Sequence, residues 1–244
     1  MISVSVVSHG HGAQVDALVG DLARVGAGPL ELLVTLNVAE QHERFQERFP
    51  LVVIENPVPK GFGANHNAAL ARARGEYFCV INPDVRLAAD PFAALVERMA
   101  DARIGVCAPR VLDPQGRVED SARNFPTPLE ILAKAMGRAP ALPGGATPDW
   151  VAGIFMLFRT AVLREAGGFD ERYHMYYEDV DLCARLRLAG LEVALCPAVS
   201  VTHDARRASH RNARHLAWHL QSMARFFTSA PYREIARRRA AGRA

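Results

Sequence analysis

Hydrophobic positions along the chain fall into short β-branched blocks separated by stretches of helical spacing. Ile2 to Val7, Leu30 to Leu36 and Leu51 to Ile54 have the length and composition of strands. Glu76 to Ile81 follows as a fourth strand after the helix-like Gly61 to Arg74, and Ile104 to Val111 as a fifth after a helix near Pro91 to Ala100. This alternation predicts a nucleotide-binding-like α/β unit, with helices packed on a mostly parallel sheet. The pattern loosens from Asp113 to Asp149, and RAPALPGGATP (Arg138 to Pro148) reads as a mobile surface loop, since neither helix nor strand tolerates so much Pro and Gly. A strand over Trp150 to Arg159, a helix beginning near Glu178, and two short strands around Glu192 to Leu195 and Val199 to Thr202 continue the sheet. One domain over residues 1–204 is therefore expected. Beyond it, Ala213, Leu216, Ala217, Leu220, Ala224 and Phe227 recur at helical spacing, so residues 205–244 read as an amphipathic helical extension.

Composition narrows the class. With 50% hydrophobic residues in 244, the chain can bury a substantial core, while no apolar run approaches the roughly 20 residues of a membrane-spanning helix. The N-terminus opens directly on a strand-like ISVSVV with no secretory pattern. Cys79, Cys107, Cys183 and Cys196 form no CxxC pair and sit in apolar stretches, so reduced thiols and a cytoplasmic location are expected. The net charge of +3 is divided unevenly: residues 205–244 hold ten Arg and one Glu, a balance of +9, which leaves −6 for residues 1–204. An acidic body argues against nucleic acid as a partner. The basic tail suits phosphate or an anionic membrane surface, with Phe226 and Phe227 as a shallow apolar anchor, or else is simply a solvated helix.

Two acidic clusters carry candidate chemistry. FCVINPDVRL places Asn82, Pro83 and Asp84 at the end of a hydrophobic strand, where ligands of open α/β sheets gather and where an acid can hold a phosphate-bound metal; Asn-Pro-Asp is also an ordinary turn signature. In RYHMYYEDVDLCARL, Glu178, Asp179 and Asp181 cluster at a helix start behind His174 and several tyrosines. Acids there are favoured by the helix dipole, and Asp181 has Arg185 one turn on, which is a purely structural reading. A carboxylate beside aromatic walls equally suits a general base facing a sugar.

Together with ENPVPKGFGANHNAAL, these motifs resemble the family 2 glycosyltransferases, most closely their rhamnosyltransferase-like branch, over residues 1 to about 205. The resemblance implies a GT-A fold and an inverting transfer of a sugar, rhamnose among the candidates, from a nucleoside-diphosphate donor to a glycan or polyprenyl-linked acceptor in bacterial surface polysaccharide synthesis. The donor would lie across Ser8 and His9 after the first strand, Asn37 after the second, Asn56 after the third, Gly61, Gly63 and Asn67 in the GFGxNxN segment, and Asn82 and Asp84 after the fourth. Asp84, as the last acid of a variant DxD, and His203, at the end of VSVTH, would hold Mg²⁺ or Mn²⁺ against the diphosphate. Asp179 is the implied base, with Glu178 and Asp181 orienting it or the acceptor. Arg123, Phe125 and Pro126 of SARNFPTP also match the branch. The chain departs from the family pattern at Ser8-His9-Gly10, at Asn37 in place of a base-reading Asp, and at Asn82, which removes one carboxylate from DxD.

Other constellations fail. His215 and His219 have zinc-ligand spacing without the Glu of HExxH, KGFGAN is not GxGxxG, and no serine elbow surrounds Gly153. The rival readings are a catalytically silent nucleotide-sugar-binding protein and a sugar nucleotidyltransferase, although HGHG lacks the basic signature of the latter. An oligomer is compatible with the sequence.

Overall fold

The computed structural model describes residues 1–26, 28–40, 49–128, 130–131, 147–204 and 213–241. All but the last two residues of the loop expected at Arg138 to Pro148 lie outside them, as do Arg206, Arg207 and Arg211. The strands are β1 (Ile2–Ser8), β2 (Leu30–Leu36), β3 (Leu51–Glu55), β4 (Tyr77–Ile81), β5 (Val85–Arg86), β6 (Ile104–Leu112), β7 (Ala122–Arg123), β8 (Trp150–Val151), β9 (Phe155–Arg159) and β10 (Glu192–His203). Seven helices are used below: α1 (Gly12–Arg24), α2 (Phe62–Leu70), α3 (Phe92–Met99), α4 (Thr160–Glu165), α5 (Glu178–Leu188), α6 (Ala213–Thr228) and α7 (Ala230–Ala240).

One sheet runs β3-β2-β1-β4-β9-β6-β10-β5. Its β3-β2-β1-β4 half is parallel, as is the β6/β10 pair, but β9 runs antiparallel to β4 and β6, and β5 antiparallel to β10. The strands are buried on both faces, and alternate residues feed two cores. Val4, Val6, Leu32, Cys79 and Ile81 pack with α1 and α3, whereas Leu33, Phe78, Val80 and Phe158 pack with α2, α4, α5 and the C-terminal helices. All four cysteines are buried and free.

Three elements differ from the sequence expectation. The strand over Trp150 to Arg159 is interrupted at residues 152–154: β8 pairs with β7 in a separate ribbon and β9 enters the main sheet. The two short strands near the end are one strand, β10, with a register break between Cys196 and Ser200. Pro197, which cannot donate to a ladder, falls in that bulge. The tail is two helices rather than one, divided where the Ser229 hydroxyl accepts the Tyr232 N–H and Pro231 enters the first turn of α7.

Those helices pack on the body. Phe226 is fully buried against Phe125, Tyr177 and Tyr232, and Ile235 joins the same core. Arg239 lies over Phe125 and bonds Asp149 at 2.5 Å, while Arg187 reaches the other Asp149 oxygen at 3.4 Å. Phe226 therefore has no surface to offer a lipid, which corrects its assignment as an anchor. Leu216 and Leu220 do remain exposed. Among the described residues no helix is long and apolar enough to cross a membrane.

Candidate active site

The segments that matter converge at the carboxyl ends of β1–β4. After β4, Asn82 to Val85 form a turn closed by the Val85 N–H on the Asn82 carbonyl at 3.1 Å, with Pro83 at the position that favours φ near −65°. The turn reading and the ligand-site reading of Asn-Pro-Asp are thus both satisfied, because the turn is what aims Asp84. The last residues of β10 pair antiparallel with β5, His203 opposite Val85, and the Asp204 N–H bonds the Asp84 carbonyl at 3.1 Å. This pairing brings His203 Nε2 to 3.4 Å from Asp84 Oδ2. The other ring nitrogen, Nδ1, lies 2.9 Å from Glu119 Oε2. Burial alone would lower the His203 pKa, but the hydrogen bonds and charges of Asp84 and Glu119 outweigh it and hold the imidazole above its ordinary value.

Asp84 Oδ1 is buried and accepts no hydrogen bond from the described residues. An orphaned carboxylate oxygen beside an imidazole is a donor set suited to a divalent cation. Among the described residues no group of three or more ligating side chains gathers at metal distance. Two protein donors still fit Mg²⁺ or Mn²⁺ when substrate phosphates complete the shell, since such ions are commonly held by one or two carboxylates plus phosphate and water.

The second acidic cluster begins α5. Tyr176 and Tyr177 both adopt positive φ, 70° and 67°, a strained kink for bulky residues. Tyr177 packs on His219 and Phe226 and Tyr176 on His215 and His219, so the kink is clamped by α6. His215 and His219 thus serve packing rather than zinc. The kink places Asp179 in the first helical turn, where Oδ2 accepts the Gly153 N–H at 2.9 Å and Oδ1 the Val180 N–H at 2.8 Å. The next carbonyl, that of Ile154, accepts the Asn82 N–H at 3.0 Å, so the turn between β8 and β9 ties Asp179 to the Asn82–Asp84 turn. Gly153 is required there, because a Cβ would lie 2.9 Å from the Phe62 ring.

Glu178 and Asp179 divide their protons unequally. Burial, reinforced by the neighbouring Asp179 charge, pushes Glu178 up to about 8, and its Oε2 has no hydrogen-bond partner among the described residues. Burial also raises Asp179, but two backbone N–H groups favour its ionised form and the Arg123 charge helps. Burial thus favours the proton on Glu178, while the backbone N–H groups favour whatever charge the pair carries on Asp179. Replacing Glu178 by Gln should stabilise the fold. The sign follows from linkage: the folded state binds this proton more tightly than the unfolded chain, so stability is full below pH 4.5 and declines as pH rises to about 8. The variant should match wild type near pH 4.5 in thermal melts and pull ahead by about 1.4 kcal/mol for each pH unit between 4.5 and about 8; a gap independent of pH would exclude the buried proton.

Several residues expected at the donor, and Asp181 expected to orient the acceptor or the base, have partners within the protein. Ser8 is fully buried and its hydroxyl accepts the His11 N–H at 3.0 Å, so it shapes the first loop from beneath. Gly61 and Gly63 are buried under the segment leading to α5, where a Cβ would lie 2.5 Å from the His174 carbonyl oxygen and 2.7 Å from Phe169 Cβ respectively. Asn67 spends its amide on Phe169, accepting its N–H at 2.9 Å and donating to its carbonyl at 2.8 Å. Asp181 is buried with Arg185 Nε at 2.8 Å, and Arg185 in turn holds the Gly168 carbonyl at 2.8 Å. The structural reading of Asp181 is the one its geometry favours.

Asn37 and Asn56 do meet, in a network that includes Lys60 and Asn65, two residues not singled out from the sequence. Asn37 Oδ1 accepts from the Lys60 N–H (2.7 Å) and Asn56 Nδ2 (2.9 Å), and Asn37 Nδ2 lies 2.9 Å from the Lys60 carbonyl and 3.2 Å from His9 Nδ1. Asn56 Nδ2 also reaches Asn65 Oδ1 at 2.6 Å. Asn37 is therefore saturated from within the protein, and the exposed groups at the mouth are His9 and Lys60. The local signal for this was the density of Asn between residues 56 and 67. Arg123 and Phe125 also find their places: Arg123 stacks over Trp150 at 5.4 Å beside Asp179, and Phe125 is core.

Residues 34–165 match the sequence description of glycosyl transferase family 2. The chain belongs to that family. As a glycosyltransferase it is similar along most of its length to two curated relatives. It is 27% identical to the rhamnosyltransferase WbbL of Escherichia coli, over 93% of this chain and 92% of that protein. It is 28% identical to the N-acetylglucosaminyl-diphospho-decaprenol L-rhamnosyltransferase of Mycobacterium tuberculosis, over 91% of this chain and 82% of that protein. Among solved structures, a mannosyltransferase of Pyrobaculum calidifontis, in complex with GDP-Man and Mn²⁺, superposes with a TM-score of 0.64 at 17% identity, covering 95% of this chain and 66% of that one. The glycosyltransferase thus has the GT-A architecture its motifs implied, with the antiparallel β9 set between β4 and β6 and the short antiparallel β5 at the sheet edge.

Proposed function

We propose that this glycosyltransferase is a metal-dependent, inverting enzyme that moves a deoxyhexose of the rhamnose class from a nucleoside diphosphate to a polyprenyl-diphosphate-linked glycan. The observation that carries this reading is the convergence of Asp84, His203 and Asp179 around one pair of turns at the carboxyl end of the sheet. Asp84 and His203 would hold Mg²⁺ or Mn²⁺ at the donor diphosphate, and the cation, when bound, offsets charge on the departing nucleoside diphosphate. The donor would lie over His9, the Asn37–Asn56–Asn65 network, Lys60 and Asn82. Asp179 takes the proton of an acceptor hydroxyl as that oxygen bonds to the anomeric carbon; the bond from this carbon to the diphosphate oxygen breaks, and the nucleoside diphosphate leaves with the electron pair. Attack opposite the leaving group inverts the anomeric centre. Glu178, where burial favours a proton, would leave the charge to Asp179, and the Tyr176–Tyr177 kink holds both acids in place.

The rhamnose class and the lipid-linked acceptor rest on the relatives' activities, and the cation on the Asp84–His203 geometry together with the Mn²⁺ of the mannosyltransferase complex. A lipid-linked acceptor places the enzyme at the cytoplasmic face of a membrane. Exposed Leu216 and Leu220 on α6, on the basic C-terminal part of the chain, suit an anionic surface there. The test is incubation of the purified chain with a panel of nucleotide sugars, a synthetic lipid-diphosphate glycan and Mn²⁺, followed by product analysis. Release of a nucleoside diphosphate with an inverted linkage is expected. Pyrophosphate release would identify a nucleotidyltransferase, and binding without turnover across the panel a silent sugar-nucleotide binder.

A further inference from the structure

Glu119 belongs to none of the motifs and is invisible to any spacing rule, yet it makes the closest polar contact to His203. It stands at the end of a hairpin that follows β6. Asp113 organises that hairpin, its Oδ1 accepting the Gln115 and Arg117 N–H groups at 2.9 Å each and its Oδ2 pairing with Arg117 Nε at 2.6 Å. The Glu119 N–H then bonds the Val111 carbonyl at 2.8 Å, which returns the chain to the strand and fixes the direction of the Glu119 side chain. A cleft of about 250 Å³, lined by residues that include Asp113, Arg117, Glu119, His203 and Asp204, opens this corner to solvent.

The two nitrogens of His203 face different partners. Nδ1 is 2.9 Å from Glu119 Oε2, and Nε2 is 3.4 Å from Asp84 Oδ2. A carboxylate oxygen without a proton only accepts, and the 2.9 Å contact at Nδ1 is shorter than the 3.4 Å contact at Nε2, so the geometry favours the ring proton on Nδ1. In the neutral imidazole the lone pair is then on Nε2, the nitrogen turned toward Asp84 and its unpartnered Oδ1. We propose that Glu119 is a positioning residue that holds His203 in the Nδ1–H tautomer and fixes its ring plane, so that Nε2 and the Asp84 carboxylate face one divalent cation. The inference rests on the reading of Asp84 and His203 as the cation site. Carboxylate partners of metal-binding histidines act in this way by orienting the ring and raising its basicity.

Manganese is the probe, alone and with a nucleoside diphosphate added. Mn²⁺ is titrated into the full-length wild type, Glu119→Gln, Glu119→Ala and Asp84→Asn, with free Mn²⁺ followed by its paramagnetic resonance, and the ¹⁵N shifts of the His203 ring are recorded without metal at alkaline pH. Thermal melts accompany each variant. Wild type should bind Mn²⁺ and show a protonated Nδ1. Glu119→Ala should bind about 10- to 100-fold more weakly and lose the Nδ1–H preference. Glu119→Gln, whose amide oxygen can still accept the same hydrogen bond, should fall between the two and remains informative if the alanine variant folds poorly. Wild-type Mn²⁺ affinity and an unchanged tautomer in both Glu119 variants would overturn the positioning role alone. Failure of wild type to bind Mn²⁺ both alone and with a nucleoside diphosphate added, or binding by Asp84→Asn equal to wild type, would overturn the cation site and this inference with it.

Discussion

Asp179→Asn is expected to lower turnover about 10²-fold or more while donor binding stays near wild type, because the substitution removes the proposed base and nearly preserves its shape. The geometry sets the terms. Asp179 receives two backbone N–H groups, from Gly153 and Val180. Asn offers one acceptor oxygen, so one of these donors loses its partner, at about 1–3 kcal/mol. A modest fall in melting temperature therefore accompanies the loss of turnover, and donor affinity by calorimetry separates the two effects. The pH profile gives a second signature. Burial raises the Asp179 carboxyl above its ordinary value of 3.8, so kcat/KM should climb as pH rises through an apparent pKa above that value, one that belongs to the Glu178–Asp179 pair. In Asp179→Asn this acid limb should vanish. Wild-type turnover in the variant would move the base elsewhere.

Asp84→Ala is expected to abolish metal-dependent donor binding, an effect on affinity rather than on the chemical step. A hard divalent cation relies on carboxylate oxygen, and the remaining protein donor is one imidazole. The fold should tolerate the change. The 82–85 turn is closed by backbone, and the Asp84 carbonyl, which survives the substitution, keeps its bond to the Asp204 N–H. Calorimetry of a nucleotide sugar with and without Mn²⁺ measures the outcome; an unchanged metal-dependent affinity would place the cation on other residues. On the proposed reading the two substitutions divide the reaction, Asp84 on the donor side and Asp179 on the acceptor side.

Much of the molecule is determined by the sequence alone, because much of it is local. The period of β1 to β4, the helix begun by Glu178 and Asp179, the turn at Asn82–Asp84 and the burial of the cysteines follow from side-chain alternation and turn chemistry within a few residues. The motifs also carried the family and the GT-A architecture. Only the tertiary structure decided what long-range pairing decides. The interruption at residues 152–154 sends β9 antiparallel between β4 and β6, and the same turn supplies the Gly153 N–H that aims Asp179. The pairing of β10 with β5 delivers His203 to Asp84, and a hairpin 84 positions away in sequence delivers Glu119 to His203. Gly61, Gly63, Asn67 and Asp181 look like site residues in one dimension because they flank the chemistry. In three dimensions Gly61, Gly63 and Asn67 pack against Phe169 and His174 ahead of α5 and Asp181 pairs with Arg185, since close backbone approach and buried charge pairing depend on neighbours that no local pattern records.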